Sequence, residues 1–116
     1  MPHVVIDYSE NMASAVQEFK IPEILHEIMI SCGLFSPEAI KTRAYAANHF
    51  FVGTKGQGGK FLHVSVAILL GRTTEQKQLL SHSLSDALTE KLPGIDSITV
   101  EIREMDRETY QKTSTA

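Results

Sequence analysis

The sequence predicts an α/β fold: two β-α-β units forming one mixed four-stranded sheet, with two helices on one face and a short hairpin between the halves. Three observations predict it. Strand-like and helix-like patterns follow the order strand–helix–strand, glycine-rich turn, strand–helix–strand. Parallel neighbours need a crossover connection, nearly always right-handed, so each half closes as one unit. Finally, Phe61–Leu70 carries Leu62, Val64, Val66, Ile68 and Leu70 on one continuous apolar face, and its opposite face (Phe61, His63, Ser65, Ala67, Leu69) is small and half apolar. Two helices cover only one side of such a sheet. The other side suits water poorly, so another subunit is expected on it.

Taken in order, the first strand is Pro2–Tyr8, where Val4, Ile6 and Tyr8 alternate with His3, Val5 and Asp7. Residues 9–20 are polar and irregular, with room for a short helical turn. A helix runs from about Pro22 to Cys32. Proline suits its first position because that N–H has no partner there. Ile21, Ile24, Leu25, Ile28, Met29 and Cys32 recur at spacings of 3 and 4, which makes one face apolar, and Gly33 supplies the stop. The second strand covers about Ala39–Ala46. The segment Gly53–Lys60 is rich in glycine but fails as a phosphate-binding loop. Its spacing is one residue too long, Phe61 follows the lysine, and a strand comes next instead of a helix. It reads as a hairpin turn. After the strand Phe61–Leu70, Thr73 and Gln76 have capping-box spacing and open a helix to about Leu92, with Leu80, Leu84, Ala87 and Leu88 on one face. Pro93-Gly94 ends it. Ser97–Glu104 is the last strand, with Ile98, Val100 and Ile102 on one side. The whole chain, 1–116, reads as one domain with a polar tail, 106–116, expected to be loose unless a partner holds it.

Composition narrows the function. Hydrophobic residues make up 42% and charged residues 22%, ordinary values for a globular protein. Eleven basic and 14 acidic residues leave a formal charge of −3 with no basic run, which argues against nucleic-acid partners. The longest apolar stretch has ten residues and includes His63 and Ser65, too short to span a bilayer. No signal peptide is recognisable, and with Cys32 as the only cysteine a reducing, cytoplasmic setting is expected. A lone cysteine excludes an internal disulfide and a cysteine-based zinc site. His3, His26, His49, His63 and His82 lack metal-ligand spacing, so no metal is expected. His26 and His82 fall on helices as boundary residues, and His63 reads as a hydrogen-bonded residue buried at a subunit contact. His3 points away from the side of the strand that carries Pro2. Cys32 reads as a buried small hydrophobe.

Pro2 is the first candidate for chemistry. On position alone it is a permissive second residue. It leads straight into an apolar strand, however, so the terminus is held by a sheet. Once Met1 is removed, as a small second residue favours, the terminus is a secondary amine. Burial or nearby cations lower the pKa of such a group and leave a neutral base near pH 7. The segment Pro2-His3-Val4-Val5-Ile6-Asp7-Tyr8-Ser9-Glu10-Asn11 resembles the start of the 5-carboxymethyl-2-hydroxymuconate isomerases of the tautomerase superfamily. The resemblance continues in Gly33-Leu34-Phe35, in Ile40-Lys41-Thr42-Arg43, and in Phe61-Leu62-His63-Val64 leading to Gly71-Arg72-Thr73.

This resemblance implies a homotrimer of paired β-α-β units, with sheets packed around a central axis. It also implies cofactor-free ketonisation of an unsaturated dicarboxylate, a dienol from aromatic-acid breakdown. Pro2 would shuttle the proton, and Arg72 would bind a carboxylate. A strand end beside a helix start suits anion binding on its own account. Where the family typically has two arginines separated by one residue, this chain has Lys41 and Arg43, both expected on one side of the second strand. Lys41 holds the position usually linked to activity. It keeps the charge but lacks the planar fork that grips a carboxylate in two places. Arg43 would act in its stead or form a structural ion pair. Phe35, with Phe50 and Phe51, would line an apolar pocket or join the core. Glu101 and Arg103 share one face of the last strand as a cross-strand or intersubunit pair. Two alternatives stay open: a tautomerase of a different enol acid, and a non-catalytic oligomeric binding protein of the same fold.

Overall fold

The computed structural model describes residues 1–114. Strands β1 (His3–Ser9), β2 (Lys41–Ala47), β3 (Phe61–Leu69) and β4 (Ser97–Met105) form one sheet in the order β2-β1-β3-β4. The outer pairs β1/β2 and β3/β4 are parallel, and the central pair β1/β3 is antiparallel. Helices α1 (Ala13–Glu18) and α2 (Ile21–Ser31) lie between β1 and β2, and α3 (Thr74–Lys91) lies between β3 and β4. The paired β-α-β architecture predicted from the pattern is therefore the observed one.

Strand alternation decides what is buried. Val4, Ile6, Leu62, Val64, Val66 and Ile68 point to the helix side and are essentially inaccessible to solvent. Leu25 and Met29 of α2 and Leu80, Leu84 and Leu88 of α3 close over them. Helix α3 begins as its capping box requires. Thr73 Oγ1 accepts from the Gln76 N–H at 3.1 Å, and Gln76 Oε1 accepts from the Thr73 N–H at 2.9 Å. Helix α2 starts one residue earlier than expected, at Ile21, so Pro22 takes the second position, where the backbone N–H is still without a partner.

Several expectations are corrected. The stretch after β1 is ordered: a 3-10 turn (Glu10–Met12) and α1 bury Met12 and Val16, one helical turn apart, in the core. The glycine-rich segment is not a hairpin. Strands β2 and β3 are not neighbours, because β1 lies between them, so no ladder can flank a tight turn. Instead Gly53–Gly58 forms 3-10 turns broken at Gly56, where φ is +58°. Gly59 seals the loop, since a Cβ there would stand 2.3 Å from Val52 Cβ. Lys55 pairs with Asp96, which also accepts from the Lys60 N–H at 2.8 Å and so fastens this loop to the start of β4. Strand β3 ends at Leu69, because Gly71 turns the chain at φ +131° and leaves Leu70 46% exposed instead of extending the apolar face.

The tail is also tied down as far as it is described. Arg107 donates from Nε and Nη2 to the Leu70 carbonyl at 2.9 and 2.7 Å, and a turn at Asp106 receives the Tyr110 N–H at 3.0 Å. Residues 115 and 116 of the expected loose tail lie outside the described residues.

Leu62→Ala is expected to destabilise the protein by about 2–5 kcal/mol, because a fully enclosed side chain leaves a cavity. Urea unfolding with an unchanged slope checks this. Arg107→Ala should free the tail, read as faster hydrogen exchange at Thr109 and Tyr110 with no change at Val64.

Candidate active site

The sheet brings the start of β1, the start of β2, the end of β3 and the end of β4 to one edge of the molecule. Two clusters form there, and the segment 34–39 between α2 and β2 joins them. In one, the Arg72 guanidinium lies over the Phe35 ring, 4.8 Å from its centroid, and its Nη2 donates to the Leu34 carbonyl at 2.7 Å. This is a cation–π contact with an anchored arginine, partly buried and aimed by the turn at Gly71. In the other, the terminal amine on Met1 donates to the Ala39 carbonyl at 2.8 Å, and Lys41 Nζ donates to the same oxygen at 3.2 Å. Pro2 is buried between them, and its carbonyl accepts the Lys41 backbone N–H at 3.0 Å.

Electrostatics follow from this crowding. The terminal amine is held below the ordinary α-amino value, first by burial, then by the charges of Lys41 and Lys112. His3 is likewise held below the usual imidazole range by burial, then by Arg43, the terminal amine and Lys41. A base in this setting is neutral at a lower pH than it would be in water.

Lys41 and Arg43 do share one side of β2, the side away from the helices. Arg43 is not part of either cluster above. Its Nη1 meets His3 Nδ1 at 3.2 Å, while His3 Nε2 meets the Tyr110 hydroxyl at 3.0 Å, the two rings standing edge to face at 6.2 Å. Sequence reasoning missed Tyr110. The only available signal was one aromatic residue in an otherwise polar tail. The other candidates lie outside these clusters. Phe51 is 78% exposed, and Phe50 packs its edge on Phe61 at 6.4 Å, both away from the Arg72 cluster on the loop after β2. His63 is half-buried and bonds Thr99 Oγ1 at 2.6 Å and Glu101 Oε1 at 3.4 Å, so within the chain Glu101 meets a histidine. His26 bonds Thr42 Oγ1 at 2.7 Å and ties α2 to β2. Cys32 is half-buried, with Sγ on the Met29 carbonyl at 3.1 Å. Among the described residues, no group of three His, Cys, Asp or Glu side chains is placed to hold a metal ion.

The family model for 5-carboxymethyl-2-hydroxymuconate isomerase matches residues 2–115. The chain belongs to this family. It is thus an isomerase, and solved structures place the 5-carboxymethyl-2-hydroxymuconate isomerase family's fold on it directly. A 5-carboxymethyl-2-hydroxymuconate isomerase from Deinococcus radiodurans R1 superposes with TM-score 0.87 at 20% identity, covering 98% of this chain and 90% of that one. A 5-carboxymethyl-2-hydroxymuconate delta-isomerase gives TM-score 0.83 at 21% identity, with 99% and 89% covered. A fused 4-OT symmetric trimer gives TM-score 0.73 at 11% identity, with 91% and 88% covered. No curated protein matches the chain. Among the described residues, no helix is long and apolar enough to cross a membrane.

Proposed function

We propose that this isomerase ketonises 5-carboxymethyl-2-hydroxymuconate or a similar dienol dicarboxylate without a cofactor, and that it works as a homotrimer. Met1 is removed, and the Pro2 nitrogen, then a secondary amine, is the proton shuttle. It takes the proton from the enol hydroxyl and returns it to carbon at the far end of the conjugated system. One O–H bond breaks, one C–H bond forms, the double bonds shift between, and nothing is oxidised or reduced. Arg72 and Lys41 bind carboxylate and steady the charge that develops while the proton is on nitrogen. Phe35 lines the apolar side and holds the Arg72 guanidinium in place.

The observation that carries this reading is the terminal amine itself. On Met1, one residue before Pro2, it lies in a partly buried position beside Lys41, at the same edge as the anchored Arg72, with its pKa lowered by burial and by cations; an amine on Pro2 would stand at this same cation-lined edge. Those are the conditions under which an amine acts as a base near neutrality, and a general base of this kind contributes about 10²–10⁴ in rate. The trimer reading rests on the sheet face turned away from the helices. Its centre is small and half-buried (Val5, Ser65, Ala67), its margin includes Tyr45 at 57% exposure, and a fold neighbour is a symmetric trimer.

Pro2→Ala should lower kcat for ketonisation, followed by ultraviolet absorbance, by about a hundredfold or more, with the oligomer intact by light scattering. A wild-type rate in that variant would reject the proline as base. The pH profile supplies a second check. The amine acts when unprotonated, so kcat/KM rises with pH through its pKa. Lys41→Gln removes a cation that favours the neutral amine. Its pKa must rise, and the ascending limb must move to higher pH. An unmoved limb would show that Lys41 does not act on the amine.

A further inference from the structure

Arg72 reaches the candidate site from a weakly restrained stretch of backbone. Its neighbour Gly71 adopts φ +131°, a conformation that residues with side chains rarely take. Glycine permits that turn but does not enforce it, because a residue without a Cβ has the widest choice of conformations to lose. The ladder gives no help. Leu69 and Met105 are the last registered pair of β3 and β4, so Leu70, Gly71 and Arg72 lie past the final rung. Phe35 and the Leu34 carbonyl engage only the guanidinium at the far end of the Arg72 side chain. The backbone from which that side chain starts needs a restraint of its own.

Arg107 supplies it. Strands β3 and β4 are parallel and end together, and the turn at Asp106 brings Arg107 beside the turn at Gly71. The Asp106 turn is closed on itself: Oδ1 accepts from the Glu108 N–H at 2.9 Å, and the carbonyl accepts from the Tyr110 N–H at 3.0 Å. From this base Arg107 Nε and Nη2 both donate to the Leu70 carbonyl, at 2.9 and 2.7 Å. That oxygen belongs to the planar peptide group whose nitrogen is that of Gly71, so holding the oxygen holds the plane from which the Gly71 φ is set. Two charge-assisted donors on one oxygen resist rotation of that plane more than one neutral donor does. The approach is close, since a Cβ on Gly71 would stand 3.2 Å from Arg107 Nη2. Gly71 therefore both accepts the turn and admits the guanidinium that locks it. Among the described residues, no carboxylate forms an ion pair with Arg107.

We propose that Arg107 is a positioning residue. It clamps the Leu70–Gly71 peptide, sets the line on which Arg72 enters the site, and acts on the reaction only through Arg72. The effect on turnover rests on the role given to Arg72 in the proposed isomerase, whereas the clamp does not. The C-terminal segment thereby serves the site without touching substrate.

The test joins a mutant cycle to a mobility measurement, both on the full chain. With 5-carboxymethyl-2-hydroxymuconate, Arg107→Ala should lower kcat/KM about tenfold or more, because a small misplacement of a binding group is costly. Arg107→Lys, which keeps a donor for the carbonyl, should recover part of the loss. In an Arg72→Ala background the Arg107→Ala change should cost less than about twofold. Equal losses in both backgrounds, or no loss from Arg107→Ala where Arg72→Ala does lose activity, overturn the positioning role. The second readout needs no substrate. Nitrogen-15 relaxation should show the Gly71 and Arg72 amide order parameters falling from about 0.85 in the wild type to below about 0.6 in Arg107→Ala. Tyr110→Phe, which loosens the tail's other contact, should leave them unchanged. Unaltered order parameters in Arg107→Ala overturn the clamp. Turnover separates the two readings. A wild type that converts no dienol, or an Arg72→Ala variant that converts it at the wild-type rate, sinks the isomerase role of Arg72, and the clamp then stands or falls on the order parameters.

Discussion

The antiparallel seam between β1 and β3 is the constraint on which the rest of the molecule depends. Each half of the chain is a parallel unit, and a parallel unit sends its strand ends to opposite edges of the sheet. Joining the halves through β1 and β3, with His3 opposite Ala67 and Tyr8 opposite Leu62, turns one half over against the other. The beginning of β1 then meets the end of β3. That is why Pro2, second in the chain, and Arg72, in the turn after β3, reach the same edge without any contact between their elements being built for the purpose. The seam is also the most deeply buried part of the fold. Val4 and Ile6 interleave with Val64 and Val66 beneath α2 and α3, so the terminus is anchored one residue beyond the core.

The second consequence is electrostatic. The edge gathers Lys41, Arg43, Arg72, Arg103 and the terminal amine in a chain whose formal charge is −3, so a local positive field is built against the overall balance. Most of these cations are spent on neutral partners: backbone carbonyls for Arg72 and Lys41, an imidazole for Arg43. A cation held by neutral dipoles keeps its full charge for an incoming anion, whereas one held in an ion pair does not. Burial first, and then these cations, lowers the pKa of His3 and of the terminal amine on Met1, which couples the binding of an acid to the availability of a base.

Much of this was legible in the sequence because it is written in local signals. The alternation of Leu62, Val64, Val66 and Ile68 is a two-residue period that only a strand satisfies. Thr73 and Gln76 mark a helix start by chemistry alone. The proposed residues Pro2, Lys41, Arg72 and Phe35 were found through a family resemblance, which the family match over residues 2–115 supports. What could not be read was non-local. The loop 53–58 reads as a hairpin because its glycines are turn-formers in either case, and only the strand order shows that β2 and β3 are not partners. The tail reads as polar, yet Arg107 and Tyr110 each make contacts more than 30 positions back along the chain, where no pattern of spacing reaches. Helix α1 is short, and its two buried residues, Met12 and Val16, give too little periodicity to separate it from a loop.

The central claim is that the sheet edge favours the neutral form of a terminal amine and that the working amine is that of Pro2. A nitrogen-15 NMR titration of native-terminus protein labelled at proline tests it most directly. The account predicts one prolyl amine resonance that titrates below the ordinary α-amino value of about 8. A prolyl nitrogen that does not titrate, as in a chain that keeps Met1, or one that titrates at or above that value, would contradict it.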